Sequence, residues 1–124
     1  MPVFRLKVVS IPVSDQDRAK SFYVDKLGFE VRSDNPMGEG QRWVEVAPPG
    51  SFTSFTLVTW FPSLPAGSLQ GMVLETEDVR ARYAELKGRG VPFGQEIEEA
   101  FWGTLTTFSD PDGNGWVLAQ SRGQ

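Results

Sequence analysis

Two glutamates stand in otherwise apolar strand-like runs, Glu45 within Trp43-Val44-Glu45-Val46 and Glu75 at the end of Leu69 to Glu75, and these are the weak candidates for proton chemistry. A carboxyl facing a desolvated cleft has its pKa raised and can then donate or accept a proton. The competing reading is that each glutamate points outward or pairs with a base, and the sequence leaves both open. The chain has no histidine and no cysteine. That removes the usual general base near neutral pH, every imidazole-dependent triad, thiolate nucleophiles, disulfides and sulfur-ligated metal centres.

The remaining polar motifs read as architecture. Asp110-Pro111-Asp112-Gly113 has the composition of a tight turn, because proline presets one turn dihedral and glycine accepts a positive one. It lacks the third acidic ligand and distal glutamate of a calcium loop. Gly88-Arg89-Gly90 reads as a helix stop and not a phosphate cradle. Glu96, Glu98 and Glu99 read as a solvated face, and Tyr23 and Tyr83 as core residues on helical stripes. Trp116, flanked by apolar strand residues, also reads as core.

The elements that must position these groups follow from periodicity. Leu6 to Val13 is a β-branched run and predicts a strand. Ser14 predicts a helix cap, with Asp15 and Asp17 favouring the helix N-terminus. Ala19, Phe22, Tyr23 and Leu27 give a helical apolar stripe that Gly28 ends. Phe29 to Asp34 predicts a second strand, Asn35 to Gly40 a mobile turn, and Trp43 to Val46 and Phe52 to Phe61 two antiparallel strands across Pro48-Pro49-Gly50. After Pro62 to Gly67, a linker by composition, the order starts again. Leu69 to Glu75 predicts a strand and Thr76-Glu77-Asp78 a helix start. Val79, Tyr83 and Leu86 form the stripe, a short strand falls near Phe93 to Ile97, and Phe101 to Phe108 and Gly115 to Gln120 are the last strands. Asp15 and Asp78 lie 63 positions apart, and Gly28 and Gly90 lie 62 apart. The repeat is one of element order, with little matching of residues. The expected plan is α+β: two paired βαβββ modules at about 4–61 and 68–121, forming a single domain.

Composition narrows the partners. The chain has 124 residues, with 12 basic against 16 acidic and a net charge of −4. No basic patch is available to neutralise phosphates, so nucleic acid is not an expected partner. The long uncharged stretch Val46 to Gly71 is broken by prolines and is too polar to span a bilayer. Met1-Pro2-Val3-Phe4-Arg5 lacks the pattern of a secretory signal, and a cytoplasmic location is expected by default.

The order and spacing of three stretches resemble the vicinal-oxygen-chelate superfamily, which includes glyoxalase, extradiol dioxygenases and bleomycin-resistance proteins. They are Ile11-Pro12-Val13-Ser14-Asp15 with Phe22-Tyr23 and Leu27-Gly28-Phe29, then Glu75 to Val79 with Leu86 and Gly90-Val91, then Trp102-Gly103 to Phe108 with Asp110 to Asn114. The resemblance implies curved mixed sheets that enclose a cleft, commonly in a homodimer. It also implies metal-ligand places near Val8, Leu57, Gly71 and Val117, none of which binds a divalent cation through its side chain. Neighbouring residues are no better, so no cofactor and no metal are expected. Strand parity laid on those places puts Val8 with Leu6 and Ser10 on the cleft wall, Phe55 and Leu57 with Thr59, and Gly71 with Val73 and Glu75, while Val9, Ile11 and Val13 pack on the helix. Val117 joins the wall, and Trp43, Phe101 and Trp102 are expected to add aromatic area.

Two function classes follow. In one, the chain binds and sequesters a small, aromatic or amphipathic molecule without metal, as bleomycin-resistance relatives do. In the other, it is a divergent lyase, isomerase or oxidoreductase working through Glu45, Glu75 or tyrosine, or through a non-standard metal site. A structural or regulatory module whose cleft is filled by its own side chains is the third possibility.

Overall fold

The computed structural model describes residues 3–122. Its contacts divide the chain into two compact units, one up to Ala66 and one from Gly67.

In the first unit, β1 (Val8–Pro12) leads into α1 (Gln16–Ser21). The cap is Asp15, one residue later than expected, whose carboxylate accepts from the Arg18 N–H at 3.0 Å. Ser14 instead accepts from the Arg18 guanidinium at 3.1 Å. The helix continues as a π-helical turn, Phe22–Lys26, in which the Leu27 N–H donates to the Phe22 carbonyl at 3.1 Å. Ala19, Phe22, Tyr23 and Leu27 are all buried, and Gly28 leaves the helix with φ 85°. The mixed sheet is completed by β2 (Glu30–Gly38), β3 (Gln41–Ala47) and β4 (Ser54–Val58), in the order β1-β4-β3-β2 with β1 and β4 parallel. Ile11, Val44, Val46 and Leu57 are fully buried and form its core.

Asn35 to Gly38, expected to lie in a turn, are instead strand. Asn35 faces Trp43 and Pro36 faces Arg42, and the register shifts between Pro36 and Gly38. Proline is tolerated because β2 is an edge strand next to an irregularity, where no ladder donor is missed. The reversal is confined to Glu39 and Gly40, both at positive φ, as a two-residue hairpin requires. Arg42 on this hairpin grips Asp34 through Nε (2.6 Å) and Nη2 (2.9 Å) and reaches Asp17 on α1 (2.7 Å). Lys20 adds a bond to Asp34 at 2.6 Å. The network pins α1 to β2 and β3.

The second unit repeats the topology. Its elements are β5 (Met72–Glu75), α2 (Val79–Gly88), β6 (Glu98–Ala100), β7 (Gly103–Ser109) and β8 (Gly115–Ser121), in the order β5-β8-β7-β6 with β5 and β8 parallel. Asp78 caps α2, accepting from the Ala81 N–H at 3.0 Å. Val79 and Leu86 are buried, whereas Tyr83 is half-buried. Rings run from Tyr83 to Phe93 (4.6 Å), Phe108 (5.8 Å) and Trp116 (6.1 Å) between α2 and the sheet.

Two boundaries differ from expectation. The strand expected at 93–97 lies at 98–100, leaving Phe93 with a single bridge to Phe108. Phe101 and Trp102, expected to open a strand, form the two-residue loop of the β6–β7 hairpin, since Ala100 pairs with Gly103. The reason lies at Gly103: a Cβ there would collide with the Gln120 carbonyl, so β7 begins where β8 approaches too closely for any side chain.

The β7–β8 loop is a knot of side chain and backbone. Asp110 Oδ1 accepts from the N–H groups of Asp112 and Asn114, and its Oδ2 accepts from Asn114 Nδ2 at 2.8 Å. Asn114 Oδ1 accepts from the Leu69 N–H at 3.0 Å, tying the loop to the chain that enters β5. Both side chains are buried. Asn114→Ala is therefore expected to destabilise the protein by about 2 kcal/mol in urea titration, because it strands a buried donor and a buried carboxylate.

Arg42 and Lys20 together hold the Asp34 carboxyl far below the usual carboxylate range. A depressed folded pKa contributes stability above the unfolded value of roughly 3.9 and loses it as pH falls toward the folded one. Asp34→Asn is expected to be less stable than wild type at neutral pH by about 1 kcal/mol. That gap should narrow on acidification below about pH 4 in thermal melts.

Candidate functional site

Hydrogen bonds show which side chains share the face of the first sheet opposite α1. Trp43 Nε1 donates to Glu45 Oε1 at 3.0 Å, and Ser54 Oγ donates to Glu45 Oε2. Ser10 and Thr56, paired across β1 and β4, bring their hydroxyls to 3.4 Å. Val8 belongs to the same face by alternation along β1. Trp43, Glu45, Val8 and Ser10 are half-buried, while Ser54 and Thr56 are buried beneath them.

This register corrects the parity expected for β4. Phe55 stacks on Phe29 (6.2 Å, 21°), which in turn meets Tyr23 of the helical segment, so Phe55 and Leu57 lie on the α1 side. Leu57 is fully buried there, with its carbonyl accepting from Gln16 Nε2 at 2.8 Å. Thr59 lies beyond the end of β4 and is exposed. Ser54 and Thr56 take the places expected of Phe55 and Leu57. The signal was present in Ser54-Phe55-Thr56-Leu57, whose polar and apolar residues alternate with period two.

Glu45 also departs from its expected character. Its pKa is lowered, first by the Ser54 hydrogen bond, against the opposing effect of burial, with help from Trp43 and the charges of Lys7 and Arg32. Donors that bind the ionised form favour it, so Glu45 is a fixed anion and not a poised acid. Of the two readings left open, the one with a raised pKa does not hold for Glu45, because the Ser54 donor sits one strand away, on β4.

In the second sheet, the face opposite α2 carries Val73, Glu75, Leu105, Thr107 and Val117. Gly71 and Val117 are brought together in a recess of about 230 Å³ that Gln70, Thr107 and Ser109 also line. Val73 is 62% exposed and Glu75 accepts from Ser121 Oγ at 3.1 Å. Phe101 and Trp102 lie at the hairpin tip, 90% and 42% exposed.

The donor set does not suit a divalent metal. By the observed register, the places where the resemblance would put ligands hold Val8, Thr56, Gly71 and Val117, and the one side-chain oxygen among them already shares a hydrogen bond with Ser10. Transition metals need imidazole, carboxylate or thiolate at such places. Among the described residues, no three acidic side chains come together as a metal site.

A duplicated βαβββ unit with a helix on one face of each mixed sheet defines the class. The chain belongs to the Glyoxalase/Bleomycin resistance protein/Dioxygenase superfamily, whose model matches residues 5–118. It is similar to the solved structure of TnmS3, an antibiotic binding protein from Streptomyces sp. CB03234, with 46% identity, 98% of each chain covered and a TM-score of 0.91. A glyoxalase/bleomycin resistance protein from the same Streptomyces strain is 47% identical, with 94% of this chain and all of that one covered at a TM-score of 0.83. The Bacillus subtilis protein YetH is 38% identical over 119 residues, covering 94% of this chain and 98% of its own.

Glu45 is expected to titrate below an ordinary glutamate when its carboxyl carbon is followed by NMR. Ser54→Ala should move that titration upward by removing the largest cause of the depression.

Proposed function

We propose that the chain is a metal-independent binding protein that holds a small aromatic or amphipathic molecule against the helix-free face of its first sheet without transforming it. One observation carries this reading: the first sheet's face presents an indole, an anchored anion and hydroxyls, a set suited to recognition. Flat apolar area with a few oriented polar groups is the usual composition of a small-molecule site. The superfamily's metal chemistry lacks its ligands here, and Glu45 lacks the raised pKa of a general acid. Similarity to an antibiotic binding protein supports the same reading.

Among the sequence-derived candidates, Val8, Ser10 and Trp43 are the proposed contacts on the first sheet, and Gly71, Val73 and Val117 are those proposed for the second sheet taken by itself. On β4, Ser54 and Thr56 stand in place of Phe55 and Leu57 as buried hydroxyls that orient Glu45 and Ser10 from beneath. Among the described residues, no helix is long and apolar enough to cross a membrane. Exposed Phe4, Leu6, Phe52, Phe101 and Trp102 are apolar area of the kind subunit contacts cover, and we assign the protein a homodimeric state, which sedimentation measurements test.

The deciding experiment is a thermal-shift screen. A ligand that binds only the native state raises its melting temperature. Planar aromatic antibiotics are expected to raise it, while magnesium, manganese, iron, nickel and zinc ions leave it unchanged. A stoichiometric metal in the purified protein, or turnover of a bound compound, would overturn the proposal.

A further inference from the structure

The binding reading leaves open what the ligand must carry, and on that reading Glu45 narrows it. Both carboxylate oxygens are already oriented by neutral donors from their own sheet, Oε1 by the Trp43 indole and Oε2 by the Ser54 hydroxyl. An ionised carboxylate offers roughly four acceptor positions, so each oxygen keeps one unused. The ion pairs of this unit join Lys20 to Asp34, Arg32 to Glu30, and Arg42 to Asp17 and Asp34, and among the described residues none includes Glu45.

The two nearby cations do not close this gap. Arg32 and Lys7 act on Glu45 only through space. The Arg32 guanidinium is committed to the Ser51 carbonyl at 2.5 Å and to Glu30 at 3.3 Å. Glu45 is thus a half-buried carboxylate held ionised by its two neutral donors, with no cation in contact and with acceptor positions still open. The side chain that fixes it on one side is also the largest flat surface of the face, the Trp43 ring.

We infer that Glu45 and Trp43 form one subsite for a cationic aromatic group: a planar ring lies on the indole, and an attached protonated amine or amidinium donates to the unused positions of the Glu45 carboxylate. Charge-assisted hydrogen bonds of this kind are the stronger ones, and stacking adds to them. The chain's net charge of −4 draws the same class of ligand from solution. Neutral aromatic ligands would gain only the stacking, and anionic ones would be repelled.

The test uses two flat tricyclic probes of opposite charge, proflavine (cation) and anthraquinone-2-sulfonate (anion), titrated calorimetrically into the full chain at neutral pH. Wild type is expected to bind proflavine more tightly than the sulfonate. E45Q keeps the side-chain shape and is expected to lose about tenfold in proflavine affinity with no loss for the sulfonate. Raising NaCl from about 20 mM to about 500 mM should weaken proflavine binding to wild type, a readout that needs no variant to fold. Equal proflavine affinity in wild type and E45Q, or binding indifferent to salt, overturns the charge inference while leaving the binding reading intact. Failure of both probes to bind wild type overturns the two together.

Discussion

The parallel pairing of β1 with β4 is the constraint on which the first unit's chemistry depends. Val8 faces Ser54 and Ser10 faces Thr56, so one residue of slip would turn every β4 side chain to the opposite surface. The helix removes that freedom. Phe55 and Leu57 are needed beneath α1, where Phe29, Tyr23 and Ile11 wait for them, and Ser54 is thereby delivered to the carboxylate of Glu45. An apolar packing demand on one side thus decides the ionisation of a group on the other.

Much of the architecture was legible because its signals are local. Asp78 caps the second helix and the first starts one residue past the expected Ser14, Gly28 and Gly90 end them at positive φ, and the apolar stripe of the first helix is buried residue for residue. The repeated element order and the Asp110 to Asn114 turn likewise sit in short stretches of chain. Non-local demands were not legible in the same way. Ser54 to Leu57 does alternate polar and apolar residues, but which of its faces meets α1 is set by packing on Phe29 and Tyr23 from elsewhere in the chain. The start of β7 depends on how close the Gln120 carbonyl passes, which nothing in Phe101-Trp102-Gly103 announces. Pro36 argued for a turn, and only its edge position and the adjacent register shift explain why the strand continues.

Parity read β1 correctly and β4 wrongly, since Phe55 and Leu57 turn to the α1 side and Ser54 and Thr56 take the other face. Val8 and Ser10 share one face of β1, as alternation predicts, and Trp43 lies on the same face of the sheet beside Glu45. Glu45 drew attention as a buried acid, and the seclusion that would raise its pKa is outweighed by two donors supplied from neighbouring positions. Within one superfamily fold, the same sheet face can therefore serve coordination chemistry or plain molecular recognition according to which side chains occupy a handful of alternating positions.

The wide turn at Phe22–Lys26 explains a numerical mismatch between the halves. From Asp15 to Gly28 the chain advances 13 positions, whereas Asp78 to Gly90 takes 12. The exit bonds differ in step: the Phe29 N–H reaches back six residues to Tyr23, and the Val91 N–H five to Leu86. A helix that accommodates a surplus amino acid as a bulge absorbs the difference between duplicated halves within its own last turn.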